Sequence, residues 1–255
     1  MLLALDAGNT NVTVGLFEGA KILTRWRLRT VHEQTPDEWG VVLRSLFEIA
    51  ALPLDQVDGM VVATVVPPLE SSLTQMGERY FGIKPLFVGG TTETGLNILY
   101  ENPRDVGADR VVNAVAALAL YGGPCIVVDL GTAITFDAVS ANAEYLGGII
   151  CPGIGMSVSG LFTKAARLPL VDFSEPEKLI GTNTVGSMQA GLYFGTIDMI
   201  DGIVERMMAE MGPQTRTLAT GGQASLIARG SRLVKTVNED LTLIGLRLVW
   251  ERNHA

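Results

Sequence analysis

The sequence predicts an α/β protein of two similar halves, and three observations carry that prediction. A short apolar run ends in an aspartate and a glycine turn twice, as Asp6-Ala-Gly-Asn-Thr10 and as Asp129-Leu-Gly-Thr-Ala133. Each turn passes into an alternating, strand-like segment. Helix patterns follow the strands in both halves. Self-similarity of this kind reads as a duplicated unit, with a boundary near residues 114–122.

Residues 2–6 read as a buried strand, and Gly8, Asn9 and Asn11 as a turn. Residues 12–17 and 21–28 alternate as two further strands, with Glu18-Gly19 as the hairpin turn between them. Thr35-Pro36-Asp37-Glu38 is a capping box with proline at the first helical position, so a helix runs from there to about residue 51. Its apolar side is Trp39, Val42, Leu43, Leu46 and Phe47. Residues 57–66 form a buried strand closed by Pro67-Pro68. A helix to about residue 81 and a strand near 85–88 follow, and residues 106–120 form a second strong helix. The opening pattern then returns, with a strand over 125–129, a turn over 130–133, and strands over 134–140 and 143–150. Helices are expected over 154–166 and about 184–211. Residues 217–219 form a strand into Thr220-Gly-Gly222 and another helix, and residues 241–252 close the chain.

The 255 residues suit one large or two modest domains. Hydrophobic residues make up 47%, enough for a core, while charged residues at 18% leave little for long disordered tails. The formal net charge of -8 argues against a general nucleic-acid binder, which needs a basic face. Cys125 and Cys151 sit in apolar runs and read as reduced core cysteines of a cytoplasmic protein. His32 and His254 have polar neighbours, and no Cys or His spacing fits zinc or a histidine triad. No apolar run is long enough to span a membrane, and residues 2–5 are too short for a signal sequence.

The paired turns point to phosphate. Glycine lets backbone N–H groups approach a ligand closely. Asn9, Thr10, Thr132 and Thr135 add neutral donors, and a strand-end aspartate suits a hydrated Mg²⁺ or a monovalent cation. One such turn is ordinary punctuation between strands. Two in matching contexts, with Thr220-Gly-Gly222 opening a later helix, read as a clamp on a nucleoside triphosphate. Walker, protein-kinase and Rossmann spacings are absent. Gly147-Gly148 and Pro152-Gly153 read equally as a plain bend or as a support near the phosphates.

These motifs, with Tyr100-Glu-Asn-Pro-Arg104, Gly107-Ala-Asp-Arg110 and Gly181-Thr-Asn-Thr184, resemble those of the type III pantothenate kinases. That family lies within the acetate and sugar kinase, Hsp70 and actin superfamily. The resemblance spans essentially the whole chain, and the Gly107–Arg110 segment is its most specific part. It implies two ribonuclease H-like domains of the actin/sugar-kinase type with the nucleotide in the cleft, over residues 1–116 and 117–255, the last helix returning to the first. It implies phosphorylation of pantothenate by ATP, a homodimer, Mg²⁺, and K⁺ or ammonium as monovalent cation. No nucleic-acid or membrane partner is expected.

Residue by residue, the resemblance assigns ATP to Asp6, Ala7, Gly8, Asn9, Thr10, Asn11, Val12, Thr13 and Thr132. Pantothenate falls to Tyr100, Gly107, Ala108, Asp109, Arg110 and Thr184, and the monovalent cation to Asp129. Asp6 would hold Mg²⁺ through water. Asp109 alone would read as a helix-dipole partner; its flanks and the resemblance make it the catalytic base. Arg110 either pairs with the substrate carboxylate or forms a surface ion pair with Asp105 or Glu101. Thr182 stands where related sequences often carry lysine, and Cys151 where they carry threonine or an aliphatic residue. The competing expectations are a kinase with another small acceptor and a non-catalytic regulatory protein.

Overall fold

The computed structural model describes residues 1–165 and 168–254. The described chain divides into two compact units. Unit 1 comprises Met1–Gly95, Glu101–Ala116 and the C-terminal segment from Thr242; unit 2 comprises Leu96–Tyr100 and Ala117–Leu241.

Unit 1 begins with β1 (Leu2–Ala7), β2 (Asn11–Glu18) and β3 (Lys21–Arg29), an antiparallel meander. The β2–β3 turn falls at Gly19-Ala20, one residue later than the pattern predicts, and Gly19 has a positive φ of 56°. α1 (Pro36–Ile49) starts on the predicted capping box, with Thr35 and Glu38 bonded to each other's backbone N–H. β4 (Gly59–Thr64) runs parallel to β1 and is followed by α2 (Pro67–Met76). The predicted extension of that helix to Phe81 is a wider π turn over Gly77–Phe81. β5 (Leu86–Phe87) completes a sheet of order β3-β2-β1-β4-β5. One face packs on α1 and α2 through Leu5, Val14, Trp39, Leu43, Phe47 and Leu69.

β6 (Asn97–Ile98), absent from the sequence reading, is the edge strand of the second sheet. α3 (Ala108–Tyr121) crosses the boundary between the units in sequence. β7 (Cys125–Leu130), β8 (Ala133–Val139) and β9 (Glu144–Pro152) repeat the opening meander. α4 (Ile154–Lys164) follows; the predicted end at Ala166 lies outside the described residues. α5 (Thr184–Met211) covers the predicted span, with Asn183 as its N-cap. β10 (Arg216–Thr220), α6 (Ala224–Gly230), β11 (Thr236–Val237) and α7 (Leu241–Asn253) end the chain.

The second sheet has the order β11-β10-β7-β8-β9-β6. Without β6 it repeats the first strand for strand: a meander, then a parallel neighbour of its first strand, then an edge. The two central registers correspond as well, Asp6 opposite Thr13 and Asp129 opposite Thr135.

The apolar stripe of α5 is consumed by the core of unit 2. Met188, Leu192, Ile197, Ile200, Val204 and Met207 all pack with Ile126, Phe136 and Ile227. These six side chains are buried within unit 2, while Ile203 on the same helix is only partly buried. Asp201, on the same helix and 1% exposed, accepts hydrogen bonds from Ser231 Oγ and from the backbone N–H of Arg232 and Leu233, fastening the α6–β11 loop. Two further expectations shift. Cys125 is buried, but Cys151 is only half-buried, packed at the margin of that core. His254 stacks on Trp250 with ring centroids 3.6 Å apart.

In unit 1, α7 lies on the second face of the sheet, over two strand glycines that lack a Cβ, and a third glycine, on α7 itself, faces α3. Leu243 meets Gly15, Trp250 meets Gly59, and Gly245 abuts the Val112 carbonyl of α3. Thr242 Oγ1 donates to Asn113 Oδ1 at 2.7 Å, a second tie between α7 and α3.

Candidate active site

The first loop is built at the end of β1. Gly8 N–H donates to the Asn11 carbonyl at 3.0 Å, closing the turn. The remaining carbonyls are engaged from below. Thr64 Oγ1 and Val65 N–H donate to Ala7 O at 3.2 and 3.3 Å. Thr30 donates twice, Oγ1 to Gly8 O at 2.6 Å and N–H to Thr10 O at 3.0 Å. With the Ala7, Gly8, Thr10 and Asn11 carbonyls engaged, the exposed tip at Asn9 can offer N–H groups to an anion. Thr30 and Thr64 escaped the sequence reading; each looks like the last residue of a strand, and nothing local signals its distant partner.

The Gly107–Arg110 segment opens α3 beside this loop. Val65, whose N–H is bonded to Ala7, also places Cγ1 3.5 Å from where a Gly107 Cβ would stand. That same Cβ would come within 2.5 Å of Asp109 Oδ1, so the carboxylate folds back over Gly107 and a side chain there would displace it. Asp109 Oδ1 accepts the Arg110 backbone N–H at 2.8 Å. Burial of the Asp109 carboxyl raises its pKa above the ordinary carboxylate value, and the Arg110 N–H and guanidinium only partly offset this. A raised pKa on a residue at a helix N-terminus beside an anion loop is what a general base requires. Arg110 is 7% exposed, whereas Asp105 and Glu101 are both exposed. Asp105 accepts from Asn102 Nδ2 at 2.8 Å.

Unit 2 holds the second loop. Asp129 is half-buried at the end of β7, and Gly131 N–H donates to Ala133 O at 3.1 Å. Two glycines from elsewhere in the unit press on this loop. Gly221, at φ 93°, would carry a Cβ 2.7 Å from both Asp129 Oδ1 and Leu130 O. Gly153, the N-cap of α4, sits directly against the Thr132 carbonyl, with no space for a Cβ. Pro152-Gly153 therefore supports the loop rather than merely bending the chain.

Tyr100, beside β6, lies against Gly147 and packs on Tyr145 with ring centroids 6.4 Å apart. Thr184 lines a cavity of about 720 Å³ in unit 2 with Leu161, Thr182, Asn183, Met188 and Leu192. The structure thus brings Asp6–Thr13 together with Gly107–Arg110 in unit 1. It brings Asp129 and Thr132 together with Gly153 and Gly221 in unit 2. Among the described residues no three His, Cys, Asp or Glu side chains group as ligands for a metal ion, and no helix is long and apolar enough to cross a membrane.

Comparison with known proteins agrees with this geometry. The family model for type III pantothenate kinase matches residues 2–206. The type III pantothenate kinase of Solibacter usitatus is 58% identical over 254 residues, covering 100% of this chain and 97% of that protein. That of Myxococcus xanthus is 52% identical over 255 residues, covering 100% of both. Among solved structures, a Campylobacter jejuni protein described as a Baf family transcriptional activator superposes with a TM-score of 0.61 at 18% identity, covering 99% of this chain and 98% of that one. The ADPNP-bound activator of 2-hydroxyisocaproyl-CoA dehydratase from Clostridium difficile gives 0.58 at 12% identity, covering 99% and 95%. At such identities these structures establish the fold alone, an α/β arrangement of two mixed sheets of the actin and sugar-kinase type.

Proposed function

The chain belongs to the type III pantothenate kinase family, and on that premise, that it phosphorylates pantothenate with ATP in coenzyme A biosynthesis, we propose that Asp109 is the catalytic base and that both aspartate-glycine loops hold the nucleotide. The observation that carries the reading is Val65, which binds Ala7 of the first loop through its N–H and touches Gly107 through its side chain. That shared neighbour supports reading the Asp6 loop and the Gly107–Arg110 segment as parts of one site.

In the reaction, the primary hydroxyl oxygen of pantothenate attacks the γ-phosphorus of ATP. Asp109 takes the hydroxyl proton as the new O–P bond forms. The bond between the γ-phosphorus and the bridging oxygen breaks, and ADP leaves with that electron pair. The residues Asp6–Thr13 and Thr132 contact the phosphates. Tyr100, Gly107, Ala108, Arg110 and Thr184 position pantothenate, the Arg110 guanidinium matching its carboxylate.

The donor chemistry fits the expected cations. Asp6, half-buried at a strand end, suits a Mg²⁺ that keeps part of its water shell. Asp129, a half-buried carboxylate at the end of β7, is an oxygen donor of the kind that suits K⁺ or ammonium. Bound Mg²⁺ would neutralise charge on the phosphates as the bond to the γ-phosphorus loosens. The test is ADP release with and without pantothenate, in K⁺, ammonium or Na⁺ alone. The expected outcome is release that needs pantothenate and drops sharply in Na⁺ alone. Full activity without K⁺ or ammonium removes the Asp129 assignment, and release without pantothenate removes the acceptor. In the same assay Arg110→Ala should raise the KM for pantothenate far more than that for ATP; equal changes would count against its role.

The chain is proposed to act as a homodimer. Met156, Leu161, Phe162, Leu170, Leu179 and Ile180 are exposed apolar side chains on α4 and the segment leading to α5. Exposed apolar side chains concentrated on one stretch of chain suit a partner surface, and a second copy fits a family expected to dimerise. Light scattering should give twice the mass of one chain, and Phe162→Glu should halve it. A monomer at micromolar concentration would overturn the assignment.

A further inference from the structure

β8 carries a buried carboxylate for which the reaction as described has no use. Asp137 is 0% exposed, although burying a carboxylate is costly unless donors replace its lost water. Two side chains on its own sheet are among its donors. Tyr145 Oη donates to Asp137 Oδ1 at 2.7 Å, and Thr135 Oγ1 donates to Oδ2 at 3.2 Å.

Each donor leads to a different part of the candidate site. Thr135 is the cross-strand partner of Asp129, and paired residues of a ladder project to the same face. Tyr145, also 0% exposed, packs its ring on Tyr100 at an interplanar angle of 56°. Tyr100 in turn rests on Gly147, which at φ 121° would bring a Cβ to 3.6 Å from the ring. One line of contact therefore runs from the cation aspartate through Thr135, Asp137 and Tyr145 to the tyrosine assigned to pantothenate. A phenylalanine at 145 with an apolar residue at 137 would fill the same space without burying charge. The polar version differs in holding the Tyr145 ring and the Thr135 hydroxyl at defined angles.

We infer that Asp137 is a positioning residue, orienting Thr135 beside Asp129 and Tyr145 beneath Tyr100, so that the cation response and pantothenate affinity depend on one buried carboxylate. The inference rests on the assignments of Tyr100 and Asp129 made above.

The experiment compares full-length Tyr145→Phe, Asp137→Asn and Tyr100→Ala with the parent. It measures the KM for each substrate, the half-activating K⁺ concentration and the melting temperature. Tyr145→Phe keeps the ring and loses only the hydroxyl. It should raise the KM for pantothenate about fivefold to tenfold, the scale of one lost hydrogen bond, with the KM for ATP within about twofold. Asp137→Asn should raise both the pantothenate KM and the K⁺ requirement. If Tyr145→Phe lowers only the melting temperature and leaves KM unchanged, the inference is overturned, even where Asp137→Asn fails to fold. If Tyr100→Ala leaves the pantothenate KM unchanged, the Tyr100 assignment falls and the inference with it. If Tyr100→Ala raises that KM and Tyr145→Phe does not, only the inference falls.

Discussion

An Asp109→Asn enzyme is expected to lose roughly 10²–10⁴-fold in kcat, the usual contribution of a positioned general base, while binding ATP almost as the parent does. Asparagine keeps the side-chain oxygen that accepts the Arg110 N–H at 2.8 Å, so the start of α3 is preserved. What it cannot do is take a proton from the substrate hydroxyl. The pH dependence separates this from a structural effect. Burial holds the Asp109 pKa above the ordinary carboxylate value, so kcat/KM should fall with acid at a pH above the usual range, and that limb should vanish in the variant.

The stability sign runs the other way. Because the folded pKa is raised, the folded state favours the protonated carboxyl. The stability it contributes is present at low pH and is lost as pH rises from the ordinary value through the raised one. A permanently neutral asparagine escapes that loss, so its melting temperature at pH 7 should match or exceed the parent's. Near-normal turnover, or an unchanged acid limb, would sink the role of Asp109.

A Gly153→Ala enzyme is expected to lose roughly 10²-fold in kcat/KM for ATP, the order of effect seen when a reacting group is displaced by about 1 Å. The new methyl group would overlap the Thr132 carbonyl, a backbone atom with no rotamer to yield. Either the N-terminus of α4 retreats or the second loop shifts, and both move Thr132. Gly155→Ala is the matched control. Two residues along the same helix, a Cβ on Gly155 would meet nothing within 4 Å. There alanine should leave the KM for ATP unchanged and stabilise α4 by about 0.4–1 kcal/mol. If Gly153→Ala behaves like Gly155→Ala, the α4 N-terminus does not support the loop.

Much of the chain was legible wherever the signal was local. The capping box at Thr35 and Glu38 needs only four consecutive residues, and it formed as read. The bounds of α5 followed from a continuous apolar period after Asn183. Periodicity marks a buried face without saying what buries it, and the core of unit 2 claims Ile200 and Val204 completely. β6 and β11, two residues each, carry no period at all; they exist because β9 and β10 offer ladder hydrogen bonds.

The same division holds at the site. By itself the sequence determined the two aspartate-glycine turns, the Gly107-Ala-Asp-Arg110 segment and the family, because a tight turn and a helix start demand particular residues in unbroken order. Only the tertiary structure decided that Thr30 and Thr64 secure the first loop, that Gly153 and Gly221 brace the second, and that Gly245 lets α7 settle against α3 behind Asp109. It alone revealed Asp137 between Tyr145 and Thr135. These are contacts between residues distant along the chain, where close packing rather than local preference selects the residue, and a lone threonine, glycine or aspartate looks the same with or without its partner.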